Sequence, residues 1–160
     1  MSATGLDVFD STIQKTNIWL NDLERQGGLP NRHAAYQALR ATLHALRDRL
    51  VLDEVAEFAA QLPMLIRGLY YEGWDPSGKP LKLRHRDEFL ERISQELKGD
   101  DRMDPELAAR TVFAVLARRI TEGEIEDIRH LLPAKIRNLW PGSASANVPV
   151  SAETGKGGYS

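Results

Sequence analysis

The feature that most constrains the fold of this chain is an internal repeat with an offset of 70 residues. When residues 36–70 are aligned with residues 106–140, ten of the 35 pairs are identical. A fixed period of this kind indicates a duplicated helical unit that buries its apolar face against its copy. The identical pairs are Ala38/Ala108, Arg40/Arg110, Leu46/Leu116, Arg49/Arg119, Glu54/Glu124, Leu62/Leu132, Pro63/Pro133, Ile66/Ile136, Arg67/Arg137 and Leu69/Leu139.

Apolar residues recur along the chain at spacings of three and four, which is the period of an amphipathic helix. A first helix is predicted over residues 6–26, because Gly27-Gly28 follows it as a stop signal. We expect the apolar stripes of these helices to face the core. The stripes are Phe9, Ile13, Thr16, Leu20 and Leu23; Tyr36, Leu39, Leu43, Leu46 and Leu50; Val55, Phe58 and Leu62; Leu65, Ile66, Leu69 and Tyr70; and Phe89, Ile93 and Leu97.

The sequence therefore predicts an all-α fold of two tandem pseudo-repeats, each of about four helices, packed into one bundle-like body. The first repeat spans residues 1–72 and the second spans residues 85–140. A linker rich in turn-forming residues, 73–84, joins them. Residues 141–160 are small and polar, which predicts a disordered C-terminal tail.

Charged residues recur at the predicted helix ends. Arg49 and Arg119 lie at the ends of the second helices of the two repeats, and Glu54 and Glu124 lie at the starts of the third helices. Cations at a helix C-terminus and anions at an N-terminus oppose the helix dipole. We interpret the four residues as structural charge pairs that bridge the turn in each repeat. Replacing Glu124 by alanine is therefore expected to lower the thermal stability.

Composition excludes some classes of site. The 160 residues contain no cysteine, so a disulfide framework, a thiolate zinc site and a cysteine nucleophile are absent. The formal net charge is −2, which offers no general attraction to nucleic acid. Neither a signal peptide nor an apolar run long enough for a bilayer is recognised, so we expect a cytoplasmic protein with no membrane partner.

The linker region combines aromatic and basic side chains, which can stack on bases, bind phosphates or form a protein-binding hot spot. The alternative is that the aromatic residues pack between the repeats. Tyr70 aligns with Trp140 at the 70-residue offset, which favours packing for Tyr70. The candidate binding residues are Tyr71, Trp74, Lys79, Lys82, Arg84 and Arg86.

The four histidines do not indicate a metal centre. His130 lies four residues after Glu126 and three after Asp127, but Ala60 stands at the equivalent position of the first repeat. A carboxylate-bridged diiron site needs the Glu-x-x-His pattern on two helices. His33 and His44 lie on a polar stripe of the second helix, and we interpret them as solvated. No metal and no cofactor is predicted, and no catalytic residue is assigned.

Several segments of this chain resemble a bacterial family designated domain of unknown function 2267. The resemblance covers residues 2–141. It implies an all-helical bacterial protein, and it implies no catalytic residue, cofactor or substrate. The segments that carry it are Ala38-Leu39-Arg40-Ala41, His44-Ala45-Leu46-Arg47-Asp48-Arg49-Leu50, Gln61-Leu62-Pro63, Tyr70-Tyr71-Glu72-Gly73-Trp74 and Glu122-Gly123-Glu124-Ile125-Glu126-Asp127.

These observations lead to three hypotheses of function. The first is a non-enzymatic interaction or scaffold module that binds a partner protein or a second copy of itself. The second is binding of nucleic acid or another anionic ligand through the linker cations together with Arg40 and Arg47. The third is a metal-dependent enzyme that uses His130 and nearby acids.

Overall fold

A computed structural model of the chain describes residues 3–97 and 103–142. Within these ranges the protein forms eight helices and no strand, as an all-α fold requires. Most of the predicted disordered tail, from residue 143 onward, lies outside the described residues. The helices are α1 (Asp7–Gly27), α2 (Arg32–Arg49), α3 (Leu52–Ala59), α4 (Met64–Tyr71), α5 (Arg86–Glu96), α6 (Pro105–Arg119), α7 (Glu122–Leu131) and α8 (Ala134–Arg137).

Helices α2 and α6 begin at residues whose side chains satisfy free backbone amides. Asn31 accepts a hydrogen bond from the amide of Ala34 at 2.8 Å, and Asp104 accepts one from Leu107 at 3.2 Å. Both are N-cap positions, where an oxygen-bearing side chain is favoured. At the other end of α1, Gly28 adopts a left-handed conformation with φ of 60°, which a residue with a side chain adopts at a cost.

Two arginines at the 70-residue offset make the same contacts. Arg67 donates hydrogen bonds to the carbonyls of Ala59 and Leu62, where α3 ends. Arg137 donates to the carbonyls of Arg129 and Leu132, where α7 ends. Each side chain therefore satisfies carbonyls that lack a partner within their own helix.

Helices α2 and α6 lie at the centre of the fold. Helix α2 packs against α1, α4, α5 and α6, and α6 packs against α1, α2, α5 and α7. All eight helices contribute side chains to one hydrophobic core. Alanines on α2, such as Ala38 and Ala41, let the neighbouring helices approach closely because they add little volume.

The aligned segments 36–70 and 106–140 each end in an aromatic residue, Tyr70 and Trp140, and both side chains are buried. Tyr70 is in edge contact with Phe58 and donates a hydrogen bond to the carbonyl of Val55 at 3.0 Å. Trp140 stacks on Phe113 with ring centroids 4.1 Å apart. Tyr70 and Trp140 are therefore packing residues.

Candidate functional site

An apolar groove runs along the surface between α1 and α4 and reaches α2. It consists of two adjoining hollows of about 430 and 360 Å³, which share Leu65 and Gly68. Side chains of α1 and α4 form its two walls. We call this surface the α1–α4 groove, and its main apolar residues are Phe9, Ile13, Leu20, Tyr36, Leu65 and Leu69.

The groove is built from residues that the helical periodicity of the sequence predicted to face the core. Phe9 is 45% exposed, Tyr36 is 39% exposed and Leu65 is 49% exposed, so the prediction that these side chains face the core is wrong. Ile13 and Leu20 are only half-buried. The physical reason is that α1 is rotated so that Thr12, Trp19 and Leu23 face the core, and of the predicted stripe of α1 only Leu23 is fully buried. The other apolar side of α1 has no helix of the described residues covering it.

Two central positions of the groove are charged at the equivalent places in the second half of the chain. At the 70-residue offset Glu106 replaces Tyr36, and Lys135 replaces Leu65. Glu106 accepts a hydrogen bond from Arg110 at 2.8 Å and pairs with Arg86. The fold thus accommodates charged residues at these positions, and the apolar groove is a property of the first half of the sequence.

The aromatic candidates of the linker region lie against the core. Tyr71 is half-buried and makes an edge contact with Tyr70, with centroids 5.2 Å apart. Trp74 is also half-buried and packs beside Tyr71 at 5.6 Å. This arrangement gives both rings a packing contact.

The cationic candidates of the linker region have different surroundings. Lys82 and Arg84 are exposed, and Lys79 is half-buried. Arg86 pairs with Glu106, so its charge is already compensated. Burial lowers the pKa of Arg49, and the charge of Arg84 lowers it further. Arg49 Nε donates to the carbonyl oxygen of Leu83 at 3.0 Å, next to Arg84 in the chain.

A buried ionic network that sequence analysis did not predict joins α2 to α5. Asp48 is 1% exposed and accepts hydrogen bonds from Arg47 Nε at 2.7 Å and Arg92 Nη2 at 2.6 Å. Burial opposes ionisation of Asp48, but the hydrogen bonds and charges of the two arginines outweigh it and lower the pKa of this carboxyl. Arg47 is itself buried and also donates to the carbonyls of Tyr70 and Glu72, so it is not available to bind a phosphate.

His44 belongs to the same region, and the interpretation of it as solvated is wrong. Its ring is buried, with Nδ1 3.0 Å from each carboxylate oxygen of Glu96 and Nε2 2.8 Å from the carbonyl oxygen of Leu69. Arg40 Nη1 donates to Glu96 at 2.5 Å. Burial opposes ionisation of Glu96, but His44 and Arg40 outweigh it and lower the pKa of this carboxyl. Arg40 and His44 therefore tie α2 to α5.

The predicted charge pairs have other partners in the structure. Arg49 Nε donates to the carbonyl of Leu83 at 3.0 Å, and Arg119 Nε donates to Asp22 at 2.8 Å. Among the described residues, neither arginine forms an ion pair with Glu54 or Glu124. The bridges across the two turns are thus absent, because the arginine side chains reach the linker and α1 instead.

Glu54 and Glu124 instead lie next to each other, with Glu57 and Asp127 beside them. One carboxylate oxygen from each of these four residues lies within 4.8 Å of those of the others. Burial raises the pKa of Glu54 to about 8, and the neighbouring Glu124, Glu57 and Asp127 add to that rise. Sequence alignment at the 70-residue offset pairs Glu54 with Glu124 and Glu57 with Asp127, which was the available signal for this cluster.

His130, the histidine of the third hypothesis, lies apart from this acidic cluster on the exposed side of α7. Its side chain is 79% exposed, and its Nδ1 lies 2.8 Å from the carbonyl oxygen of Glu126. The Glu126 carboxylate is 4.0 Å from the same nitrogen. Among the residues that the structure describes, Glu126 is the one acidic residue paired with His130.

The described part of the chain is an all-helical protein with one shared core and an open apolar groove in its first half. The chain belongs to an uncharacterised conserved protein family, DUF2267, whose model matches residues 16–139. This confirms the resemblance that the sequence segments carry. A comparison with curated proteins finds no match. None of the helices in the described ranges combines the length and hydrophobicity that crossing a bilayer requires.

Proposed function

We propose that this chain is a non-enzymatic protein-interaction module that self-associates through the α1–α4 groove. The observation that carries the proposal is the uncovered stripe of Phe9, Ile13, Leu20, Tyr36 and Leu65. Contiguous exposed apolar surface costs free energy in water, and on a folded protein it marks a contact surface. The charged residues at the equivalent positions of the second half support this, because the fold itself does not require an apolar surface there.

A second copy of the chain is the occupant that the groove fits best. The surface carries both hollows and protruding side chains, since exposed Phe9 and Met64 border the hollow that contains Leu65. A patch of this kind can pair with itself about a two-fold axis. The groove is lined by a single charged residue, Glu72, and the net charge of the chain is only −2, so two copies meet little electrostatic repulsion.

We also infer that the body consists of two tandem pseudo-repeats, residues 1–72 and 85–140, joined by the linker 73–84. Helix starts at the 70-residue offset support this division, since α3 and α7 begin 70 residues apart and so do α4 and α8. The matching contacts of Arg67 and Arg137 support it as well. In this arrangement the first repeat carries the interaction surface and the second completes the core.

The substitution Leu65→Glu is expected to weaken self-association at least tenfold. It places a charge in the middle of an interface that would otherwise bury an apolar side chain, and central residues of this kind dominate binding energy. Sedimentation velocity over a range of protein concentrations measures the effect. Gly68→Trp is a second test, because a side chain at Gly68 enters open space and would fill the groove without disturbing the core.

The matched control is Leu107→Glu, which makes the same change at a leucine that is 41% exposed and lies outside the groove. It should leave self-association unchanged. A wild-type chain that remains monomeric at about 1 mM, where even weak complexes form, would show that the groove does not bind a second copy. An equal effect of Leu65→Glu and Leu107→Glu would show that the interface lies elsewhere.

Binding of an anionic ligand is the second candidate function, and the proximity of Arg49 and Arg84 favours it. The Arg49 side chain reaches the carbonyl of Leu83 at 3.0 Å, so three cations, Arg49, Lys82 and Arg84, lie along this part of the linker, and Lys82 and Arg84 are exposed. Such groups can donate charge-assisted hydrogen bonds to a phosphate. If this function holds, the double variant Lys82→Ala/Arg84→Ala should lose most of a salt-sensitive affinity for single-stranded RNA or DNA. Fluorescence anisotropy at two salt concentrations measures it, and unchanged binding of the variant would contradict it.

A further inference from the structure

The N-terminal turns of α3 and α7 bring four carboxylates together. Glu54 and Glu57 lie on α3, and Glu124 and Asp127 lie on α7. One oxygen from each residue lies within 4.8 Å of the others. Four negative charges at this distance repel one another strongly, so the cluster is costly unless protons or a cation compensate it.

Glu54 distinguishes this cluster from acidic groups that merely share a solvated surface. The residue is only 7% exposed, and its Oε2 atom is buried without a hydrogen-bond partner. The Oε2 atom of Glu124 is also buried without a partner. Buried carboxylate oxygens normally have a partner, so these two require either a proton shared between Glu54 and Glu124 or a bound cation.

The cluster has an inner and an outer part. Glu54 and the Oε2 of Glu124 form the buried floor, whereas Glu57 and Asp127 are exposed. An ion can therefore reach the floor from solvent and be held by carboxylates on both sides. Glu122 and Asp53 lie in the same two helical turns but are not part of the cluster.

We propose that Glu54, Glu57, Glu124 and Asp127 form a binding site for a hard divalent cation, with Ca²⁺ as the best fit. The donor set consists of carboxylate oxygens alone, which suits Ca²⁺, Mn²⁺ or Mg²⁺ better than a softer metal. Opposite oxygens around Ca²⁺ lie about 4.6–5.2 Å apart, because each bond is about 2.3–2.6 Å long. The four oxygens of the cluster lie within 4.8 Å of one another, so none is too far from the others to share one Ca²⁺ ion. Mg²⁺ gives up its water ligands reluctantly and usually keeps several of them, so a site made of four carboxylates suits it less well than Ca²⁺.

Such an ion would connect the two halves of the chain, because it takes two ligands from α3 and two from α7. Its binding site exists only in the folded state, so the ion stabilises that state according to its concentration relative to Kd. This inference does not depend on the α1–α4 groove, which is formed by other residues.

The experiment uses the full chain, treated with chelator and dialysed, at pH 7.5. Calorimetric titration with Ca²⁺ is expected to show one site, and the melting temperature should rise by about 5–10 °C at a Ca²⁺ concentration 100 times Kd. Parallel titrations with Mn²⁺ and Mg²⁺ give the order of affinity, and we expect Mg²⁺ to bind most weakly.

The double variant Glu54→Gln/Glu124→Gln should bind Ca²⁺ at least tenfold more weakly. It should remain folded, because removing the charges removes repulsion, and circular dichroism checks this. The matched control Asp53→Asn/Glu122→Gln removes two charges from the same helical turns and should keep the affinity. Absence of binding of all three ions at millimolar concentration would overturn the proposal, and so would an equal loss of affinity in both double variants, which indicates general attraction by negative charge.

Discussion

Replacing Asp48 by alanine should lower the free energy of unfolding by about 3–5 kcal/mol, the usual cost of removing one partner of a buried ion pair. Asp48 is 1% exposed and holds Arg47 and Arg92 by hydrogen bonds of 2.6–2.7 Å. Without the carboxylate, the guanidinium of Arg47 stays buried with only carbonyl partners. Chemical denaturation followed by circular dichroism measures the change.

The control for this prediction is Asp53→Ala, since Asp53 is an exposed aspartate at the start of α3. It should cost less than about 1 kcal/mol, as exposed charges contribute little. The pKa of Asp48 is lowered in the folded state, so its stabilising effect is present above the pKa of the unfolded chain and is lost as the pH falls through the folded value. An Asp48→Ala variant as stable as Asp53→Ala would contradict the role given to the network.

The second large effect concerns Glu54. Ionisation of Glu54 lowers the stability of the folded state, whereas ionisation of Asp48 raises it. The pKa of Glu54 is raised to about 8 in the folded protein, so between its ordinary value and pH 8 the folded state binds more protons than the unfolded state. Stability in the presence of chelator should therefore fall as the pH rises from about 5 to about 8. Glu54→Gln should remove most of this dependence and raise the free energy of unfolding at pH 8 by about 4 kcal/mol, because the pKa values of Glu54 in the folded and unfolded states lie more than three units apart and one unit corresponds to about 1.4 kcal/mol.

Denaturation curves at several pH values test this prediction, with Asp53→Asn as the control that should retain the wild-type profile. The groups that face Glu54 are Glu57, Glu124 and Asp127, so Glu124→Gln should act in the same direction. This reverses the effect expected from the sequence, in which loss of the Glu124 side chain was to lower stability. A wild-type profile that is flat between pH 5 and pH 8 would contradict the repulsion within the cluster.

The helical class of the fold was well predicted because the interactions that start and end helices are local. Asn31 and Asp104 cap helices by bonding to amides three residues ahead, and Gly28 ends α1 by its own backbone conformation. Such interactions depend on neighbours within one helical turn. The sequence therefore predicted the end of α1 and the all-α class.

The charged residues were predicted less well because their partners lie far away in the sequence. Asp48 meets Arg92 across 44 positions, and His44 meets Glu96 across 52. A weak signal existed in α2, where alanines surround these residues and indicate a helix packed on several sides. It could not show which charged side chain of another helix would complete the network.

The alignment at the 70-residue offset likewise did not predict the contacts within the acidic cluster. It identified Glu54 and Glu124 as equivalent residues, but equivalence in sequence does not say that two residues touch. Their contact depends on how α3 and α7 approach each other, which is decided by the packing of the core beneath them.

Periodicity and the internal repeat indicated an all-helical chain, and Gly27-Gly28 indicated the end of its first helix, because hydrophobic spacing and short-range geometry control these features. The packing of eight helices around one core decided which apolar stripe stayed uncovered, which arginine met which carboxylate and which four acids came together. The reason is physical: a helix with two apolar sides, as α1 has with Trp19 and Phe9, can bury either one, and only its neighbours determine which.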